Sequence, residues 1–169
     1  MRIRKANSND AFSVAKVQVI SLKATYKNIV PDEYLDQMNY ENREREWKDI
    51  ISNQAVFVAE NSSGEIIGFS NGGKARTGKY PDYQGELYAI YILEEHQRNG
   101  IGKILLEPIV EYLKQKNILS MTVSVLEDNK SRLFYEYHGA KRIDTVEIEV
   151  SSKKLNELVY GWKDITAII

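Results

Sequence analysis

The chain contains no cysteine, which excludes a disulfide framework, thiolate metal ligands and a thiol nucleophile together. Histidine is nearly as scarce. His96 and His138 are the only two, and without thiols they cannot assemble a usual structural zinc site. Neither sign of charge dominates: 23 Lys and Arg stand against 24 Asp and Glu, for a formal net charge of −1. Nothing therefore draws the whole molecule to nucleic acid or to an anionic membrane. No apolar window approaches the length of a membrane span, and the basic start Met1 to Lys5 runs into polar Asn7, Ser8, Asn9 and Asp10 rather than the apolar run of a signal peptide. A cytoplasmic protein is expected. Internal repeats, low-complexity tracts and interdomain linkers are also missing, and 169 residues suit one domain, residues 1–169, able to bury a core without staples.

What the chain does have is concentrated in residues 86–102, where a β-branched and aromatic strand runs into a basic, glycine-spaced turn that opens a helix. Gly100 and Gly102 let backbone approach an anion without a Cβ in the way. The helix that follows turns its unsatisfied N–H groups and positive dipole end to the same point. A polyphosphate ligand is expected, held by the backbone N–H groups of Arg98, Asn99, Gly100, Ile101, Gly102 and Lys103, with Arg98 and Lys103 adding charge. The spacing is not a Walker loop, because Ile104 follows Lys103 where a hydroxyl would hold magnesium; nor is it the dinucleotide fingerprint, because Leu105 stands where a third glycine belongs. The same two glycines would also suit a turn that only caps a strand and starts a helix.

Around this turn the periodicities predict a mixed sheet with helices on both faces, an α/β (α+β) arrangement. Residues 2–5 read as a strand, 7–10 as N-caps for a helix reaching about Tyr26, 33–38 as a short helix, and 41–51 as a helix turning Trp47 and Ile50 inward. Strands at 55–59 and 65–70 form a hairpin across Asn61, Ser62, Ser63 and Gly64, with a weak or bulged end at Asn71, Gly72 and Gly73. A polar, aromatic-dotted loop at 77–84 leads to the strand at 85–93. The helix 101–116 carries a core stripe and a kink is expected at Pro108. Residues 118–125 alternate as a strand, 130–138 form a second helix ended by Gly139, and 141–150 with 154–162 make a closing strand pair.

The spacing Gln97-x-x-Gly100-x-Gly102 resembles the acyl-CoA loop, Gln/Arg-x-x-Gly-x-Gly/Ala, of the GNAT acetyltransferase superfamily. Residues 129–140 resemble the Asn-x-x-Ala-x-x-Phe-Tyr-x-x-x-Gly-Phe stretch that follows it in many members, departing at Arg132, where a small residue is usual, and at Ala140, where an aromatic is. The likeness spans roughly residues 55–163. It implies the GNAT fold, in which the strands at 85–93 and 118–125 splay apart to admit a pantetheine arm. Acetyl-CoA is then the cofactor, CoA the product and an amine the acceptor. The same resemblance assigns Ile90, Tyr91, Ile92 and Leu93 to the pantetheine amides and acyl carbonyl through main-chain atoms. Gln97, Asn129, Arg132 and Tyr135 join the cofactor-binding set. Tyr26, Ile29, Tyr80, Tyr83 and Glu86 are expected to border the acceptor, and aromatic faces there would suit an ammonium group.

Glu86 stands where the histone-acetyltransferase branch carries its glutamate base. At about 3.3 Å per strand residue it lies roughly 13 Å upstream of Ile90, a reach that suits proton removal through a water. A strand-end carboxylate facing solvent or paired with Lys or Arg is the other reading. Tyr135, from the Phe-Tyr pair, is the candidate acid for the departing thiolate, or else an ordinary core aromatic. Asn129 would bond pantetheine or cap the helix. His96 is expected in a solvated loop, and His138 at a helix end where the dipole favours its cation. Two functions remain open: an N-acetyltransferase acting by direct transfer on a small amine, polyamine or protein amine, and a catalytically silent CoA-binding regulatory or scaffold module. Edge strands suit a homodimer.

Overall fold

The computed structural model describes residues 1–168. Seven strands, β1 (Arg2–Lys5), β2 (Ala55–Glu60), β3 (Ile66–Lys74), β4 (Gly85–Ile92), β5 (Met121–Leu126), β6 (Lys141–Val150) and β7 (Lys153–Trp162), form one sheet in the order β1-β2-β3-β4-β5-β7-β6. Five helices flank it: α1 (Ala11–Tyr26), α2 (Asp32–Asp36), α3 (Tyr40–Asn53), α4 (Ile101–Gln115) and α5 (Arg132–Tyr137).

The alternation of strand side chains sorts the core by face. Leu87 of β4, Val123 of β5 and Leu158 and Tyr160 of β7 point to one face, where Leu106, Ile109, Val110 and Leu113 of α4 cover them. On the other face Val14, Ala15 and Val17 of α1 and Trp47 of α3 pack over Val56, Val58 and Phe69. Trp47 meets the Phe69 ring edge-on at 4.9 Å between centroids. The tight turn Ser8–Asp10 that runs into α1 is fixed by a capping box, in which Asn7 accepts from Asn9 N–H and Asp10 accepts from Asn7 N–H. Arg4 then grips both Asp10 oxygens, at 2.7 and 2.9 Å, and reaches Glu60 with Nε at 2.7 Å. That network ties β1, β2 and the helix start together, and the adjacent guanidinium holds the Asp10 carboxyl below the usual carboxylate range.

Every neighbouring pair of strands is antiparallel except β4 and β5. Those two pair in parallel at Gly85 with Met121, Glu86 with Thr122 and Leu87 with Val123, and at no later position. Just beyond the last of these rungs, Leu87 faces Gly72 of β3 whereas Ala89 faces Asn71, so Tyr88 is an extra residue in β4. This bulge exchanges the faces of the strand. Leu87 packs under α4, but the next odd-numbered residues, Ala89 and Tyr91, pack against the α1 and α3 cluster.

Several expectations move. The bulge expected at Asn71 to Gly73 lies across from them, on Tyr88, while β3 itself continues to Lys74. Strand β5 starts at Met121 rather than 118, because Ile118 N–H turns back to Leu113 O and Leu119 is exposed. Helix α4 passes through Pro108 as one element. The short helices begin and end elsewhere, α2 at Asp32–Asp36 and α5 at Arg132–Tyr137, since Arg132, Leu133 and Phe134 N–H groups close turns onto Asn129, Lys130 and Ser131 before the helix proper. Gly139 is left-handed as expected, at φ 91°.

Candidate active site

The turn before α4 is built from two left-handed residues, Arg98 at φ 63° and Gly100 at φ 77°. For arginine that conformation is strained; for glycine it is free. Alternating the backbone in this way turns successive N–H groups inward, a concavity suited to anions. None of the backbone N–H groups of residues 98–103 finds an acceptor among the described residues; the ladder resumes when Ile104 N–H bonds Gly100 O at 3.3 Å. Gly102 matters for a different reason. A Cβ there would meet the Phe134 ring at 3.0 Å, so its absence lets α5 close against the start of α4. Ile101 is buried and anchors the helix start, whereas Arg98, Asn99 and Lys103 are exposed. Gln97 braces the turn by donating Nε2 to Ile92 O at 2.9 Å, and Asn99 donates to His96 O at 3.4 Å.

Below the turn lies the opening between β4 and β5. Leu93 N–H is bonded to Ile67 O, so by antiparallel alternation Tyr91 and Ala89 also face β3, and Ile90 and Ile92 direct their main-chain groups into the opening. The Tyr91 side chain is packed, 5.7 Å from Phe69 between centroids. Tyr135 forms the wall on the α4 face: it is buried among Phe134, Tyr160 and Trp162, and its hydroxyl has no hydrogen-bond partner among the described residues. Burial pushes its phenol well above the ordinary value, which keeps the proton on oxygen at neutral pH. Asn129 is buried, accepts from Ser131 N–H at 2.9 Å and donates to the Tyr26 hydroxyl at 3.1 Å. It thus joins α5 to α1 across the opening. Arg132 pairs with Glu136 at 3.6 Å.

His138 caps the C-terminal end of α5, as expected. It packs against Phe134 at 4.5 Å between centroids, and its pKa is lowered by burial and by the nearby Lys103 cation.

On the opposite face a pocket is lined by the 75–84 loop, the start of β4, β5 and β7, with Arg76, Tyr80, Tyr83, Glu86, Ser124 and Glu157 contributing. The loop is held down where Tyr83 packs on Gly161 and where the Tyr80 hydroxyl donates to Asp144 at 2.6 Å. Desolvation and that carboxylate push the Tyr80 phenol up to about 12. Glu86 does face the pocket, but Arg76 holds it: Oε1 accepts from Arg76 N–H at 3.0 Å and Oε2 from Nε and Nη2 at 3.1 and 2.5 Å. Tyr80, Tyr83 and Glu86 are therefore brought together. Tyr26 and Ile29 sit in an adjoining apolar cluster with Val19 and Val30, with Ile29 O accepting from Lys153 Nζ at 2.8 Å.

Sequence reading missed Arg76 and Glu157. Arg76 is ten positions from Glu86 in sequence, and only the hairpin register, with Lys74 opposite Gly85, brings them together. Glu157 carries a signal of its own, as the charged member of the otherwise apolar stripe Leu155, Glu157, Val159 on one face of β7.

Comparison with known proteins agrees with this geometry. The acetyltransferase (GNAT) family model matches residues 20–140. An uncharacterized N-acetyltransferase, YuaI of Bacillus subtilis (strain 168), is 40% identical over 166 residues, covering 98% of this chain and 95% of that protein. A spermidine N(1)-acetyltransferase of Thermoplasma acidophilum is 28% identical over 152 residues, or 86% of this chain and 91% of its own. Among solved structures, the PaiA N-acetyltransferase of Thermoplasma acidophilum, in complex with coenzyme A, superposes with a TM-score of 0.72 at 25% identity, covering 95% of this chain and 96% of that one. With the acetyltransferase (GNAT) family model matched over residues 20–140 and a 40% identical N-acetyltransferase relative covering 98% of its length, the chain belongs to the GNAT acetyltransferase family.

Proposed function

We propose that this chain, as one catalytic domain, transfers an acetyl group from acetyl-CoA to a primary amine, by direct attack within a ternary complex. Its main support is one arrangement. The opening between β4 and β5 has an N–H cradle at its mouth on the α4 face and a pocket holding carboxylates and tyrosines on the other face. The cradle fits a pyrophosphate, because the N–H groups of residues 98–103 lack acceptors and a helix N-terminus favours negative charge. Ile90, and Ile92 through its N–H, offer main-chain groups of the kind an amide-bearing arm would pair with, the Ile92 carbonyl already accepting from Gln97. Bound there, acetyl-CoA supplies an activated acyl thioester.

The residues divide the remaining work. Tyr135 keeps its proton at neutral pH and is the group to hand one to the leaving sulfur. Asn129 fixes Tyr26 and the start of α5, holding the walls of the opening at a set separation. Glu86, through Arg76, holds the 75–84 loop over the pocket. Without cysteine the chain has no thiol to carry an acyl group, in keeping with transfer in one step.

Thiol release from acetyl-CoA, measured against a panel of amines, is the direct test. Amine-dependent release with no acetylated enzyme on rapid quench is expected. A protein that binds CoA but acetylates no amine would be a silent binding module, and an acetyl-enzyme accumulating during turnover would rule out direct attack.

A further inference from the structure

The pocket on the α1 face holds two carboxylates in different states. Glu86 accepts three hydrogen bonds from Arg76. Glu157, half-buried on β7, has no ion-pair or hydrogen-bond partner among the described residues. The two cations that line the pocket are both engaged, Arg76 with Glu86 and Lys79 with Asp144 at 3.7 Å, against the Tyr80 ring. The one uncompensated side-chain charge in the pocket is therefore negative. A half-buried carboxylate without a partner is costly in free energy, and an incoming cation relieves that cost.

We infer that Glu157 receives the ammonium of the acceptor and takes its proton, and that the acceptor is an alkyl or arylalkyl amine without a carboxylate beside the amine. The inference rests on the acetyl-transfer reading and extends it to the acceptor site. Position supports it. Glu157 faces Leu126 of β5 and Val146 of β6, so it lies past the last rung joining β5 to β4, at the level where the opening has formed. Beyond desolvation, the charge of Glu157 raises the Tyr26 phenol and Tyr26 in turn raises that of Tyr135, so the carboxylate and the proposed acid both lie within electrostatic reach of one tyrosine. Tyr80 and Tyr83 supply the aromatic surface against which the carbon chain of such an amine would rest.

An α-amino acid finds no free side-chain cation here for its carboxylate. Arg76 could serve only by leaving Glu86, which would strand a second carboxylate in the pocket.

The chemistry balances. Glu157 takes one proton from the ammonium, and the freed lone pair forms the C–N bond as the C–S bond breaks. Tyr135 gives its proton to sulfur, the second proton lost from nitrogen restores the phenol, and Glu157 returns its proton to solvent. Desolvation raises the Glu157 pKa, Glu86 adds to the rise, and Arg76 and Lys79 oppose it. A raised value brings the carboxylate closer to what a base working near neutral pH requires.

The test compares Glu157→Gln, Glu157→Asp and Glu86→Gln with the wild type, using n-butylamine, phenethylamine and spermidine as probes and glycine as the carboxylate-bearing control. Two readouts are taken: kcat/KM against pH, and the Tm shift each probe produces on the CoA-bound protein. Glu157→Gln is expected to lose about 10²-fold or more in kcat/KM at pH 7, to lose the acidic limb and to lose the amine-dependent Tm shift. Its CoA-dependent shift is expected to remain, and Glu157→Asp to recover part of the rate. Glu86→Gln is expected to lose less and to keep its acidic limb. A Glu157→Gln protein with wild-type kcat/KM and acidic limb overturns the inference and leaves acetyl transfer standing. Glycine acetylated as well as the amines overturns the acceptor class. Wild type that shows amine-dependent Tm shifts without turnover overturns acetyl transfer and not the ammonium site; neither shift nor turnover with any probe overturns both.

Discussion

The turn proposed to cradle phosphate and the pocket proposed for the acceptor lie on opposite faces of one sheet and are made of different material. The cradle is backbone: six consecutive residues, 98–103, with N–H groups lacking acceptors, in a shape fixed by two left-handed φ angles. The pocket is side chain, gathered from a loop and four strands and set by an Arg76 to Glu86 clamp beside an unclamped Glu157. A backbone site tolerates exchange of its exposed side chains and fails when the chain path changes. The pocket has the reverse sensitivity, since its path is carried by sheet register and its chemistry by a few atoms.

The largest expected effect tests whether the reaction centre belongs with the pocket. Tyr135→Phe keeps the ring and loses the hydroxyl, so turnover is expected to fall by about 10² to 10⁴ with the CoA-dependent Tm shift intact, checked by steady-state kinetics and thermal unfolding. Its alkaline limb is expected to change as well, because the buried phenol of the wild type must stay protonated to act. Loss of the CoA shift in this variant would place Tyr135 in the cradle instead.

Next comes Gly100→Val. The left-handed backbone at this position costs an L-residue about 1 to 2 kcal/mol, more for a β-branched one, although a Cβ would meet nothing within 4 Å. A fall of about tenfold or more in CoA affinity by isothermal titration is expected, from chain path alone.

A change remote from both regions comes third. Asp10→Ala removes one of the two carboxylate partners of Arg4 and is expected to lower stability by about 1 to 3 kcal/mol in urea unfolding, with kcat unchanged. Asp10 has a lowered pKa when folded. Its contribution is thus fully present above the ordinary carboxylate pKa and is lost as pH falls through the lowered folded value, so wild type and variant should converge in acid. Persistence of the difference there would mean the lost packing, not the ion pair, mattered.

Arg98 gives the smallest and most discriminating effect. Arg98→Ala is expected to weaken CoA by less than about tenfold, as one exposed charge contact would. Arg98→Gly loses the same charge but relaxes the left-handed backbone, so it should bind CoA no worse than the alanine variant and unfold at a higher Tm. Equal Tm values would deny that the strain at φ 63° is stored in the folded protein.

The two regions also differed in how far they could be read from sequence. Gly100, Gly102 and the start of α4 are contiguous, and a site made by chain path in one turn leaves its mark in one turn of sequence. The Phe134-Tyr135 pair was legible for the same reason, being local to one helix. Glu86 was expected to border an acceptor and does line a pocket, yet its partner Arg76 depends on hairpin register across a ten-residue loop, and register is not local. The bulge at Tyr88 was expected on the wrong strand, because the glycines of β3 mark where a chain can yield and not which partner holds the extra residue. Tyr26 ends α1 and Ile29 follows it, and only side-chain packing decides that both join the Val19 cluster.

The join between β4 and β5 carries a mechanical consequence. Only three rungs, from Gly85 with Met121 to Leu87 with Val123, connect β1 to β4 with β5, β7 and β6. The sheet is in effect two panels on a short seam, bridged by α4, whose side chains reach into the cores of both. A ligand seated in the opening would act as a spline between the panels, restoring stiffness where backbone pairing stops. Amide exchange should accordingly slow on binding at the free edges beyond the seam, residues 88–92 and 124–126, and little at the outer strands β1 and β6.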